Sequence, residues 1–123
     1  TYAKVGEFTP VAETTARYGD NLYWLAGEGV MVSTDDGRSW SIMGEPIDVL
    51  IGDPFFGQNE NTMVVVTDAA FYKTTNAGED WKKLADVWRP DSRSNVKPAW
   101  DPVSDTLYLG YLVGDVYRYR VAQ

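Results

Sequence analysis

Residues 33–40, Ser33-Thr34-Asp35-Asp36-Gly37-Arg38-Ser39-Trp40, have a second copy 41 positions later, Thr74-Thr75-Asn76-Ala77-Gly78-Glu79-Asp80-Trp81. A hydroxyl residue, an Asp or Asn, a Gly and a Trp return at matching positions. The preceding segments match in the same register, 22–25 with 63–66 and 30–32 with 71–73. A repeat of about 40 residues is typical of solenoids and propellers. Repetition is therefore the feature that decides the fold.

A third repeat lacks this eight-residue motif. Leu107-Tyr108-Leu109 is followed by Gly114-Asp115 and then by Val116-Tyr117-Arg118-Tyr119, which continues the strand–turn–strand pattern of the first two repeats. Asp53-Pro54 and Asp101-Pro102 are placed at equivalent points before their repeats, as turn signals. The chain therefore contains about three repeats.

Each repeat is interpreted as four short strands, because apolar alternation, β-branched residues and regular turn signals favour strands. No segment of ten or more residues shows helical periodicity. The predicted strands are 48–51 or 95–100 for the inner position, 63–66 for the second, 71–74 for the third, and segments beginning at Trp40 and Trp81 for the fourth. Four strands in about 40 residues, repeated, indicate an all-β chain of antiparallel β-propeller blades.

The N-terminus places the repeat boundaries. Residues 1–7 are similar to residues 39–45, so the chain is expected to open on a fourth strand. The predicted organisation is 1–10 as the outer strand of a preceding blade, 11–45 and 46–88 as blades that each carry one motif, and 89–123 as three strands of a last blade. This makes twelve strands, or three four-stranded blades in permuted register.

Three blades are too few for a ring, since propellers typically have about four to eight. We expect two apolar blade faces to be exposed, together with unpaired strand edges that invite association. The predicted partner is therefore a second copy, or the remainder of a longer chain, that closes the propeller.

Composition excludes several chemistries. The chain has no cysteine and no histidine, so it has no disulfide, no serine–histidine hydrolysis and no histidine-ligated zinc. The net charge of −7 disfavours nucleic acid and anionic membrane as partners, because both need clustered Lys and Arg. We expect neither a cofactor nor a metal.

The repeated motif has a structural interpretation. Asp35 and Ser33 are expected to accept hydrogen bonds from turn amides. Gly37 permits a positive φ, and Trp40 is expected to cover the hairpin base. The same roles are assigned in the second copy to Thr74, Asn76, Gly78 and Trp81.

The pattern S/T-x-D/N-x-G-x-x-W at blade spacing resembles the Asp-box, or BNR, repeat family. Sialidases, xyloglucan-active glycosidases, sortilin-type receptors and photosystem assembly factors belong to it. The resemblance implies a propeller with the box on the blade periphery, away from the working face. It also favours a secreted or periplasmic location, but it does not select one function.

The longest predicted loop, residues 86–95, is the candidate ligand surface, because long irregular loops are often functional. A tryptophan suits the apolar face of a sugar, and an arginine pair suits a carboxylate or sulfate. The candidates are Trp88, Arg89, Asp91 and Arg93 in the loop, and Trp100 on the following inner strand. The alternative is that Trp88 packs under its own loop while the arginines offset the acid excess.

Three functions remain open. The first is a glycan-recognising module, or part of a carbohydrate-active protein, with polysaccharide as ligand. The second is a protein-interaction or assembly scaffold. The third is a piece of a glycoside hydrolase whose catalytic residues lie outside this chain, because no spacing here identifies a catalytic constellation.

Overall fold

A computed structural model describes residues 1–47, 50–87, 96–111 and 115–121. The described residues form an all-β structure, as the repeats predict. Blade one contains β1 (Ala16–Tyr18), β2 (Asn21–Ala26), β3 (Gly29–Ser33) and β4 (Ser41–Ile42). Blade two contains β5 (Leu50–Phe56), β6 (Met63–Thr67), β7 (Ala70–Thr74) and β8 (Lys82–Asp86). Blade three contains β9 (Val96–Asp101), β10 (Thr106–Tyr111) and β11 (Val116–Arg120).

Each blade is an antiparallel sheet in which every strand pairs with its neighbours in sequence. The 41-residue offset is visible in the register. Leu22 pairs with Ser33 in blade one, and Met63 pairs with Thr74 in blade two. Propeller blades are built in this way, from consecutive hairpins.

The core lies between the blades, and β6 contributes to both halves of it. Successive side chains of a strand point to opposite faces. Met63 and Val65 pack with blade one, against residues such as Leu25, whereas Val64 and Val66 pack with Leu107 of blade three. All five residues of β6 are buried. A continuous apolar run is expected for a strand that is covered on both faces.

The N-terminal segment departs from the prediction of an outer strand in 1–10. Residues 1–9 form no strand, so the described chain has eleven strands rather than twelve. Pro10 forms an isolated bridge with Ala26, and the Phe8 ring lies 5.7 Å from the rings of both Trp24 and Trp40. A strand needs a hydrogen-bonding neighbour. Thr9 and Val11 hydrogen-bond to the end of β2 and the residue after it, whereas residues 1–8 have no such backbone neighbour among the described residues, and the Phe8 ring packs against blade one.

One of the two Asp-Pro turn predictions needs correction. Asp53-Pro54 lies inside β5, where the register shifts between Ile51 and Phe55, and is therefore a bulge rather than a turn. The turn prediction for Asp101-Pro102 is confirmed, because β9 ends at Asp101 and a turn begins at Pro102, so the two dipeptides are not equivalent. No helix in the described residues has the length and apolar character needed to cross a membrane.

Candidate functional site

The strand order defines two ends of the blades. The two motif turns, 33–40 and 74–81, join β3 to β4 and β7 to β8; we call them the box turns and call their end the box end. Since the strands alternate in direction, the connections between the first two strands of each blade lie at the box end too. β8 ends and β9 begins at the opposite end, which we call the loop end.

The two box turns share their central hydrogen bonds, because similar residue types occupy the same positions. The Ser33 hydroxyl accepts the Gly37 amide at 2.8 Å, and Asp35 accepts the Ser39 amide at 2.8 Å. Gly37 has a φ of 85°. Hydrogen bonds from the hydroxyl and the amide of Ser39 lower the pKa of Asp35 to about 2.

In the second box turn, Thr74 accepts the Gly78 amide at 2.8 Å and Asn76 accepts the Asp80 amide at 3.0 Å. Trp81 donates its indole N–H to the Glu45 carbonyl, 3.2 Å away in the connection from blade one to blade two. This turn therefore also joins neighbouring blades. These hydrogen bonds hold the two turns in shape, and the bond from Trp81 links blade two to the connection from blade one.

Of the predicted ligand residues, the structure describes Trp100 alone. Trp88, Arg89, Asp91 and Arg93 lie outside the described residues. Trp100 is only 7% exposed, and its indole N–H is donated to Asp105 at 2.8 Å. Trp100 also lies near the box end of β9, whereas residues 88–95 precede the other end of that strand. This placement makes Trp100 a packing residue between blades two and three.

A different site lies between the last two strands of blade two and the last two of blade three. We call it the inter-blade cavity; its volume is about 260 Å³. Its apolar lining comes from Phe71, Leu107 and Leu109, all in the buried core between these blades. The remaining lining residues are Ala85, Asp86, Tyr117, Arg118 and Tyr119.

The aromatic side of the cavity is accessible. Tyr117 is 36% exposed and Tyr119 is 52% exposed. Tyr117 also contacts Tyr111, with ring centres 5.6 Å apart at an angle of 73°. Alternation along β11 predicts that Tyr117 and Tyr119 share one face. Alternation alone does not reveal the cavity, because the reach of blade two decides whether this face is covered.

Charged groups stand at the edge of this apolar lining. Asp86 pairs with Lys83 at 2.5 Å, and this contact raises the pKa of Lys83. The Arg118 guanidinium makes neither an ion pair nor a hydrogen bond with any residue in the described ranges. Within those ranges, no three acidic side chains converge in a way that could hold a metal ion. The cavity therefore combines aromatic faces with hydrogen-bonding groups of both charges.

A family model describes most of this chain. The model of the DUF6242 β-propeller domain matches residues 3–112, which include all of blades one and two and the inner strands of blade three. The propeller architecture deduced from the repeats and observed in the sheets agrees with that description. The chain therefore belongs to the DUF6242 β-propeller domain family.

Proposed function

We propose that this chain is a carbohydrate-binding propeller module whose ligand enters the inter-blade cavity. The observation that carries the proposal is the pair Tyr117 and Tyr119, set above an apolar floor with Asp86 and Arg118 beside them. The axial C–H groups of a sugar ring pack on aromatic faces, and its hydroxyls need donors and acceptors at the ring edge.

The size of the cavity favours a small group. Pockets for drug-sized ligands have volumes of about 300–1,000 Å³, and this one has about 260 Å³. One sugar ring of a longer chain is therefore the occupant that fits best. A polysaccharide would continue past the cavity mouth along the outer strands.

Residues 88–95 support the same site by their position in the sequence. They begin two residues after Asp86, a lining residue. Trp88, Arg89, Asp91 and Arg93 are therefore proposed as an extension of the binding surface. The resemblance of the two box turns to Asp-box repeats supports a carbohydrate-related role, since sialidases and other glycosidases are among the proteins that carry them.

A glycan screen followed by calorimetric titration of each binding polysaccharide tests this function. Tyr119→Ala should weaken binding about tenfold, because it removes one stacking face. Tyr2→Ala removes a fully exposed tyrosine outside the cavity and is the matched control. Unchanged affinity in Tyr119→Ala would move the ligand away from the cavity. Unchanged affinity in Trp88→Ala would remove Trp88 from the surface.

One observation favours the alternative of an assembly scaffold. All five residues of β11 are exposed, and β11 is the edge strand of blade three. An edge of this kind accepts a further strand, from a second copy or from the remainder of a longer chain. Light scattering over a dilution series tests self-association. A concentration-dependent dimer supports a second copy as the partner, and a monomer at all concentrations rejects it.

A further inference from the structure

The face of blade three that points away from blade two is polar, contrary to the expectation of an apolar open face. Leu107 and Leu109 point toward blade two, so Thr106 and Tyr108 between them point to the other side. A second hollow of about 260 Å³ lies there, which we call the arginine hollow. Its lining residues are Ser104, Thr106, Tyr108, Arg118 and Arg120.

Strand pairing places the two arginines over this hollow. Arg118 pairs with Tyr108, and Arg120 pairs with Thr106. Two residues apart on one strand face, their side chains start about 7 Å from each other. The hydroxyl oxygens of Ser104 and Thr106, 2.8 Å apart, form the floor. Two cationic groups thus share one small polar depression.

Neither arginine is neutralised by a described side chain. The chain has 18 acidic residues and a net charge of −7, yet Arg118 and Arg120 make no ion pair within the described residues. The acids of the adjoining turn have other partners. Asp101 accepts the Val103 amide at 3.0 Å and the Ser104 hydroxyl at 2.6 Å. Asp105 accepts the indole N–H of Trp100 at 2.8 Å.

We propose that the arginine hollow is a binding site for a carboxylate group. Guanidinium forks match a carboxylate in geometry and hold it with two parallel hydrogen bonds. A carboxylate between Arg118 and Arg120 would offset the charge of both, and the Tyr108 hydroxyl would supply a further donor. This hollow and the inter-blade cavity lie on opposite faces of blade three. The two proposals share Arg118 and otherwise rest on different residues.

The inter-blade cavity and the arginine hollow can be tested separately, because each has lining residues that the other lacks. Arg120 lines only the arginine hollow, and Tyr119 lines only the inter-blade cavity. Arg118 lines both, so a change at Arg118 alone does not discriminate between them. Variants at Arg120 report on carboxylate binding, whereas variants at Tyr119 report on sugar stacking.

Nuclear magnetic resonance titration of the whole chain with sodium acetate tests the proposal. Sodium chloride at the same ionic strength provides the reference, because general screening affects both salts equally. We expect saturable acetate-specific shifts at the amides of Thr106, Tyr108, Arg118 and Arg120. Arg120→Ala should weaken acetate binding about tenfold, since hydrogen bonds to charged groups are among the stronger ones.

Two further variants complete the test. The double variant Arg118→Lys with Arg120→Lys keeps both charges but removes the planar forks, and it should also bind acetate more weakly. Lys97→Ala removes an exposed cation on β9 outside the hollow and should bind as the wild type does. Equal shifts with chloride, or full acetate affinity in the double lysine variant, would overturn the proposal.

Discussion

Gly44 lies against Gly78 so closely that a Cβ at position 44 would come within 2.2 Å of the Gly78 carbonyl carbon and oxygen. Gly78 is equally confined, since a Cβ at position 78 would lie 2.7 Å from the Met43 carbonyl oxygen. The Glu45 amide donates to the Gly78 carbonyl at 2.7 Å. Backbone therefore meets backbone where the end of blade one contacts the second box turn.

Gly44→Ala should weaken the junction between blades one and two. Gly44 has a φ of 69°, and Gly19 has a φ of 59° with open space around the position that a Cβ would take. We expect Gly19→Ala to lower the free energy of unfolding by about 1 kcal/mol, from backbone strain alone. Gly44→Ala should lower it by about 3 kcal/mol, because the steric clash adds to that strain. Urea denaturation measures both, and equal losses would contradict a packed junction.

Asp35 should make the free energy of unfolding depend on pH in the acidic range. Hydrogen bonds from the hydroxyl and amide of Ser39 hold the pKa of Asp35 at about 2, below its ordinary 3.8. A carboxyl group whose pKa is lower in the folded state than in the unfolded state stabilises the fold at any pH above the unfolded-state pKa. This contribution to the free energy of unfolding is lost as the pH falls from about 4 to 2. In Asp35→Asn the first box turn matches Asn76 of the second and does not titrate.

The stability difference between wild type and Asp35→Asn should therefore shrink as the pH falls through that window. Urea denaturation at neutral pH and at several acidic values measures this difference. Asp20→Asn removes an exposed carboxylate outside the box turn and is the matched control. A difference that stays constant across the window would show that the carboxylate of Asp35 is not held by its turn.

Tyr23 should make the free energy of unfolding depend on pH in the alkaline range. Its hydroxyl donates to Glu60 at 2.7 Å, joining blade one to a turn of blade two. Burial first, and then the hydrogen bond to Glu60, raise the pKa of Tyr23 above its ordinary 10.0. As the pH rises, Tyr23 therefore loses its hydroxyl proton at a lower pH in the unfolded chain than in the folded one. The contribution of Tyr23 to the free energy of unfolding is complete at neutral pH and is lost as the pH rises above about 10.

Tyr23→Phe should lower the free energy of unfolding by about 1 kcal/mol at neutral pH, from the lost hydrogen bond. Alkaline ultraviolet titration of phenolate should find in the wild type a tyrosine that resists ionisation and that is missing in the variant. Tyr119→Phe, which removes an exposed hydroxyl, should keep it. A resistant tyrosine that persists in Tyr23→Phe would assign the effect to another residue.

The repeat predicts strands best where one strand lies next to its own partner in sequence. The prediction of 63–66 corresponds to Met63–Thr67, and that of 71–74 to Ala70–Thr74. Residues 1–7 are similar to 39–45, yet they form no strand, because similarity conveys propensity but supplies no hydrogen-bonding neighbour. The three-residue β1, Ala16–Tyr18, is too short to show alternation at all.

The candidate site was less predictable, because it depends on contacts between blades. Alternation groups Tyr117 with Tyr119, but the opposite side of the cavity comes from blade two, which contributes Phe71, Ala85 and Asp86. The sequence alone makes Trp100 a candidate ligand residue. Its actual surroundings come from Lys73 of blade two and Asp105 of the next turn, which no spacing along the chain brings together.

Trp100→Phe should therefore change stability rather than ligand affinity. The Trp100 indole N–H donates to Asp105, and the Lys73 ammonium lies 5.3 Å from the ring centre and 3.6 Å from the other Asp105 oxygen. Phenylalanine keeps a ring but loses the donor and some volume, so we expect the free energy of unfolding to fall by about 2 kcal/mol.

Trp40→Phe is the matched control, because the Trp40 N–H donates at 3.1 Å to the Gly37 carbonyl at a more exposed position. Its cost should stay below about 1 kcal/mol. Urea denaturation gives both costs, and titration with a polysaccharide that binds the wild type gives the affinities. If Trp100→Phe left stability unchanged and reduced that affinity, Trp100 would be a ligand residue, because a side chain that only packs between blades acts through folding alone.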